Sequence, residues 1–145
     1  MLAKDIMTTN VITVNPDTSL SEAINLLSEN KINALPVVDE DMKILGIVTI
    51  GDIIKKCLPS YLDTLEDGFF LLNSQKFNSK TKDLRNVKVK EVMQKAYSID
   101  EEDEMVHAAA IMVKKNIRHI LVQKNGKLRG IISKIDIIRA IAKNT

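Results

Sequence analysis

Two copies of one stretch decide how this chain reads: Gly46-Ile47-Val48-Thr49-Ile50-Gly51-Asp52 and Gly130-Ile131-Ile132-Ser133-Lys134-Ile135-Asp136. Each runs glycine, two β-branched residues, a hydroxyl residue, two variable positions and an aspartate. Each continues into two isoleucines and a cation, Ile53-Ile54-Lys55 and Ile137-Ile138-Arg139. A β-branched run favours a buried strand. An aspartate ahead of a new apolar period is a helix N-cap signal. Each copy is therefore expected to be a strand that turns directly into a helix, with the helices starting at Asp52 and Asp136. The corner carries a hydroxyl and a carboxylate, which suit a well-made turn or a binding site.

Outward from these corners, the two halves keep one order of elements. In the first, Val11-Ile12-Thr13-Val14 predicts a strand and Asn15-Pro16-Asp17 a turn. Ser19 and Glu22 have the spacing of a capping box. The helix they start has the apolar stripe Leu20, Ala23, Ile24 and Leu27 and ends near Asn30. Ala34-Leu35-Pro36-Val37-Val38 predicts a strand, 39–43 a polar hairpin and 44–50 the return. In the second half, 96–99 predicts the first strand, and acidic residues over 100–104 replace the turn and cap. Met105, Ala108, Ala109 and Met112 repeat the stripe, and Ile120-Leu121-Val122 predicts the next strand. Asn125-Gly126 marks a hairpin before 128–133 returns.

The opening segment Lys4-Asp5-Ile6-Met7 is echoed by Lys90-Glu91-Val92-Met93. The offset is 86 residues from Met7 to Met93, 85 from Ala23 to Ala108 and 84 from Asp52 to Asp136. Self-similarity at so steady a spacing marks an internal repeat. The first repeat spans 2–58 and the second 87–143, joined by a linker over 59–86 that matches neither. Within it, 63–73 predicts a helix carrying Leu65, Phe69, Phe70 and Leu72, either packed on its own domain or offered to a partner. The polar stretch 74–86 predicts a loop.

Composition bounds the function. A hydrophobic fraction of 45% supports a core, and only 3% aromatics makes that core aliphatic. Charges of both signs make up 28% of the chain and leave a net charge of +2, which argues against direct nucleic-acid binding. No apolar run is long enough to span a membrane, and the first residues do not have the pattern of a signal peptide. The single cysteine, Cys57, excludes an intrachain disulfide and a cysteine-cluster metal site; it reads as a small buried hydrophobe. The expectation is a soluble, cytoplasmic protein.

The strand–helix–strand–strand–helix unit ending in Gly-apolar-apolar-Ser/Thr-x-x-Asp resembles the cystathionine-β-synthase (CBS) domain. Asn33-Ala34-Leu35-Pro36-Val37-Val38-Asp39 is similar to a second family segment, and Asp5-Ile6-Met7 with Val11-Ile12-Thr13-Val14-Asn15-Pro16 to the family's opening. Two in tandem resemble a CBS pair, or Bateman module, here standing alone without a catalytic domain. The resemblance implies an α/β (α+β) fold of two β-α-β-β-α repeats packed around a pseudo-twofold axis. It also implies homodimers, and two clefts that bind adenosine-containing ligands: AMP, ADP, ATP, S-adenosylmethionine, sometimes NAD. Such modules are regulatory sensors and not enzymes.

Carried onto this sequence, one cleft joins Thr49 and Asp52 to Lys90, Tyr97, Arg118, His119 and Ile120. The other joins Ser133, Lys134 and Asp136 to Thr8, Thr9, Val11, Ile12, Asn33, Ala34 and Pro36. A ribose cis-diol offers two donors that an ionised carboxylate accepts. Thr49 and Ser133 can bond a ribose or phosphate oxygen, and a helix N-terminus favours an anion. Arg118 suits bidentate phosphate contact, although Arg118 and His119 also read as an exposed pair before a strand. Asn33 takes the place of Arg118 in the other cleft, which points either to a neutral or singly charged adenosine ligand there or to a cleft that stays empty. The alternative is a non-ligand-binding interaction or scaffold protein that uses the linker helix and dimer surface with an unidentified partner. No nucleophile–base pair or paired catalytic carboxylates stand out.

Overall fold

The structure, a computed structural model, describes residues 1–57 and 83–144. The helix expected over 63–73, its Phe69–Leu72 cluster and most of the expected loop lie outside the described residues; 83–86 closes that stretch as a 3-10 turn, Asp83–Asn86. The first half contains α1 (Ala3–Ile6), α2 (Leu20–Asn30), β1 (Ala34–Val38), β2 (Ile44–Thr49) and α3 (Ile50–Cys57). The second contains a 3-10 turn (Val89–Glu91), β3 (Ser98–Asp100), α4 (Met105–Lys115), β4 (His119–Lys124), β5 (Lys127–Ser133) and α5 (Lys134–Lys143).

Each half is built on an antiparallel hairpin, β1–β2 and β4–β5. Both hairpins carry a bulge at the matching place, between Val37 and Val38 and between Val122 and Gln123. β3 adds to β4 in parallel, making a three-stranded sheet with the order β3-β4-β5. It begins two residues later than the sequence predicts.

The first half departs from expectation at the same position. The predicted strand 11–14 is reduced to one bridge, Val14 to Val37. Val14 donates its N–H to Pro36 O and accepts from Val38 N–H. In the second half the ladder continues because Glu101 N–H donates to Gln123 O at 3.0 Å. Pro16 holds the equivalent place and has no N–H to give. The turn that follows is common to both halves, Asn15 Oδ1 accepting from Asp17 N–H at 2.8 Å and Asp100 Oδ1 from Glu102 N–H at 2.9 Å.

The repeats are interlocked through their opening segments. Ala3 is fully buried, but in the core of the second half, with Ile99, Ala108, Met112, Ile120 and Ile132. Val89 and Leu84 are buried in the core of the first half, with Val14, Leu20, Leu35 and Val48. Reciprocal backbone bonds fasten both exchanges. Thr8 and Ile131 share a pair at 2.9 and 3.0 Å, and Gln94 and Ile47 share another at 2.9 and 3.0 Å. Ion pairs repeat the symmetry: Lys4 meets Glu102 at 2.8 Å, and Lys90 meets Asp17 at 3.2 Å. A third core, containing Ala34, Val38, Ile47, Leu121 and Leu128, lies between the two hairpins. These paired contacts relate the halves by a pseudo-twofold.

Candidate functional site

The helices of the two corners begin at Ile50 and Lys134, so Asp52 and Asp136 are third residues, not the N-caps that the sequence suggested. The hydroxyl residue before each helix takes the cap position, and the aspartate closes a capping box three residues on. Asp52 Oδ2 accepts from Thr49 N–H and from Thr49 Oγ1, both at 2.9 Å. Asp136 Oδ2 accepts from Ser133 N–H at 2.8 Å and Ser133 Oγ at 2.9 Å. One carboxylate oxygen thus holds each helix start. The other points away from that cap.

The Thr49–Asp52 corner opens on a cavity of about 550 Å³. Across it stand Gln94, Lys95 and Tyr97 from the lead into β3, and Asn116, Ile117, Arg118 and His119 from the lead into β4. Lys55 of α3 completes a basic rim with Lys95 and Arg118 around Asp52. The Tyr97 ring is flanked by Lys95 Nζ at 5.5 Å and Lys115 Nζ at 5.8 Å from its centroid, within cation–π range. Burial, followed by the charge of Arg118, holds the His119 imidazole below its ordinary range, while Asp136 opposes the shift. Among the residues expected here, Thr49, Asp52, Tyr97, Arg118 and His119 come together. Lys90 does not join them. It donates its N–H to Pro16 O and spends its ammonium on Asp17, whose carboxyl that hydrogen bond and charge hold below the usual range. Ile120 is fully buried in the second core and does not line the cavity.

The Ser133–Asp136 corner opens on a second cavity of about 380 Å³. Thr8, Val11, Ile12, Asn33 and Ala34 line it, with Lys31 and Arg139 as its cations. Thr9, Pro36 and Lys134 do not line it; Pro36 is packed inside β1. Asn33 and His119 line both cavities and form their shared wall.

Sequence reading passed over Lys55 and Arg139 as site residues. They lie three places after each aspartate, hence on its helix face, and that spacing was a usable signal. Gln94 had no such signal. Its Nε2 donates to Asp52 Oδ1 at 2.9 Å and Oδ2 at 3.0 Å, a contact between residues 42 apart.

A family model of the CBS domain matches residues 3–58 and again 89–143. The chain belongs to the CBS-domain family. Its CBS pair is 35% identical to an uncharacterized protein of Methanocaldococcus jannaschii, over 97% of this chain and 91% of that one. It is also similar to the crystal structure of CBSX2 in complex with AMP, at 26% identity and a TM-score of 0.75, covering 99% of this chain and 97% of the other. A third relative is the CBS domain pair of protein MJ0100, crystallised with 5′-methylthioadenosine and S-adenosyl-L-methionine. It is 28% identical with a TM-score of 0.76, covering 100% of this chain and 98% of the other. The tandem α+β architecture expected from the sequence is that of these CBS pairs. Among the described residues, no helix is long and apolar enough to cross a membrane.

Proposed function

We propose that this CBS pair is a regulatory module that binds adenosine-containing ligands, AMP, ADP, ATP or S-adenosylmethionine, in its two clefts. One observation carries the reading. Each cavity sets a carboxylate–hydroxyl corner of one repeat opposite the lead-in strands of the other, in a volume within the range of small-molecule sites. The carboxylate suits a ribose diol, and the apolar residues Val11, Ile12 and Ala34, or Ile47 and Tyr97, suit a purine. The complexes of CBSX2 with AMP and of MJ0100 with two adenosyl ligands support it.

The cavities differ in charge. Lys55, Lys95 and Arg118 surround Asp52, whereas Lys31 and Arg139 accompany Asp136. We assign the longer phosphate chain to the Asp52 cleft. The repeat division at 2–58 and 87–143, with 59–86 as linker, and a cytoplasmic setting complete the proposal. The module works as a homodimer: Ile54 of α3 and Ile138 of α5 are 48% and 58% exposed at matching places, a twofold-repeated face suited to a second copy. Ligand closure of a cleft would alter that contact or one with a partner only by binding the two states unequally.

Isothermal titration with AMP, ATP and S-adenosylmethionine tests the reading. Absence of heat with all three at millimolar concentration sinks it, and a monomer in sedimentation velocity at every loading sinks the homodimer. The scaffold alternative draws on the same exposed isoleucines. It is favoured if Asp52→Ala combined with Asp136→Ala leaves the cellular role intact.

A further inference from the structure

Resting on the nucleotide reading above, we propose that Gln94 is a gate on the ribose-accepting carboxylate of the Asp52 cleft. The two clefts, alike in plan, then admit a ribonucleotide on unequal terms. Asp52 Oδ2 already takes the N–H and O–H of Thr49. The remaining edge of the carboxylate, spanning Oδ1 and Oδ2, is bridged by the Gln94 amide at 2.9 and 3.0 Å. A cis-diol needs that same edge, since its two hydroxyls donate side by side. In the other cleft Asp136 Oδ2 takes the N–H and O–H of Ser133, and among the described residues no donor is bonded to Asp136 Oδ1.

The difference traces to one position of the repeat. Gln94 pairs with Ile47 through its backbone as Thr8 pairs with Ile131, so the two residues are equivalent. Thr8 has the shorter side chain, and no bond joins it to Asp136. The gate can open without unfolding anything. The Gln94 backbone stays pinned to Ile47 while its exposed side chain swings into water. A hydrogen bond to a charged acceptor is stronger than a neutral one, so breaking the contact lowers affinity at the Asp52 cleft by about tenfold. The Asp52 cleft consequently responds at a ligand concentration about tenfold above the one its own cations would set, while the Asp136 cleft carries no such penalty. Gln94 is thus a residue that sets the threshold of one site and leaves the other alone.

The test uses the full chain, with AMP as the probe and amide NMR as the readout. Thr49 and Gly51 report the Asp52 cleft, and Ser133 and Ile135 report the Asp136 cleft in the same sample. Gln94→Met keeps the length of the side chain and removes the donor. It is expected to tighten AMP about tenfold at the Thr49 and Gly51 signals and to leave the Ser133 and Ile135 dissociation constant within about twofold. The gain should shrink for 2′-deoxy-AMP, which has lost one of the two hydroxyls. Unchanged or weaker AMP binding at Thr49 and Gly51 in Gln94→Met overturns the gate, as does an equal gain for AMP and its deoxy form. Silence of both signal sets towards AMP in the wild-type chain as well overturns the nucleotide reading itself, and the gate with it.

Discussion

Replacing Gly130 by alanine tests the joint that holds the two halves together. A Cβ built at Gly130 would lie 2.6 Å from Met7 Sδ, 2.8 Å from Met7 Cγ and 2.8 Å from Thr8 O. The methionine can swing, but Thr8 O is backbone and accepts from Ile131 N–H at 3.0 Å. The added methyl therefore pushes directly on the reciprocal Thr8–Ile131 pair. Overpacking of this kind costs about 1–3 kcal/mol. Loss of glycine's freedom in the unfolded chain offsets roughly 0.4–1 kcal/mol of that. The net expectation is a loss of about 1–2 kcal/mol, or a fall in Tm of roughly 2–8 °C for a domain of this size. Gly46→Ala supplies the comparison. Its Cβ would meet Gln94 O at 2.9 Å and Met93 Sδ at 3.2 Å, a looser fit, so its loss should be smaller. Urea melts of both variants beside the wild type, with unchanged slope, measure the difference. A Gly130→Ala protein as stable as the wild type, or more stable than Gly46→Ala, would refute the reasoning.

Three further outcomes are expected. The His119 imidazole is depressed by burial and by Arg118, so its share of stability is present above the unfolded value near pH 6.5 and is lost as pH falls through the lower folded value. His119→Gln should flatten that acid-side decline in a series of urea melts, and an unchanged slope would count against it. Glu101 is only 6% exposed and meets Lys124 at 3.4 Å and Arg129 at 3.3 Å. Glu101→Ala should cost about 1–3 kcal/mol in denaturant melts, less than a fully buried pair because both cations can return to water. Arg118→Ala should weaken ATP about tenfold while changing adenosine little, a contrast that titration at fixed salt can read; equal losses would place Arg118 away from the phosphates.

Much of this fold was legible in the repeat itself. The β-branched runs, the helical stripes and the Asn125-Gly126 turn are local signals, and Asn125 and Gly126 indeed sit at φ 55° and 82°. The errors have two sources, one local and one long-range. The Ser/Thr-x-x-Asp corner reads as an aspartate cap in sequence, although its hydroxyl-plus-acid spacing is that of a capping box; the same spacing at Ser19 and Glu22 yields only half a box, Ser19 Oγ accepting from Glu22 N–H at 3.1 Å. Strand 11–14 failed because Pro16 deletes one donor that only its pairing partner reveals. Lys90 was assigned to ligand, but the exchange of opening segments hands it to Asp17. That exchange, like the Gln94–Asp52 contact, joins distant residues and leaves no trace in spacing.

The exchange of opening segments also bears on how such a chain could have arisen. Residues 1–57 alone would keep α2 and the β1–β2 hairpin but lose Leu84 and Val89 from their core, while leaving Ala3 with nothing to fill. Two identical half-length chains could satisfy each other by trading these segments reciprocally, as the fused halves do. The joint is therefore one that an ancestral dimer of single repeats would already possess. Fusion of the gene copies would then have freed each side to diverge, and Asn33 against Arg118, or Thr8 against Gln94, is what that freedom looks like.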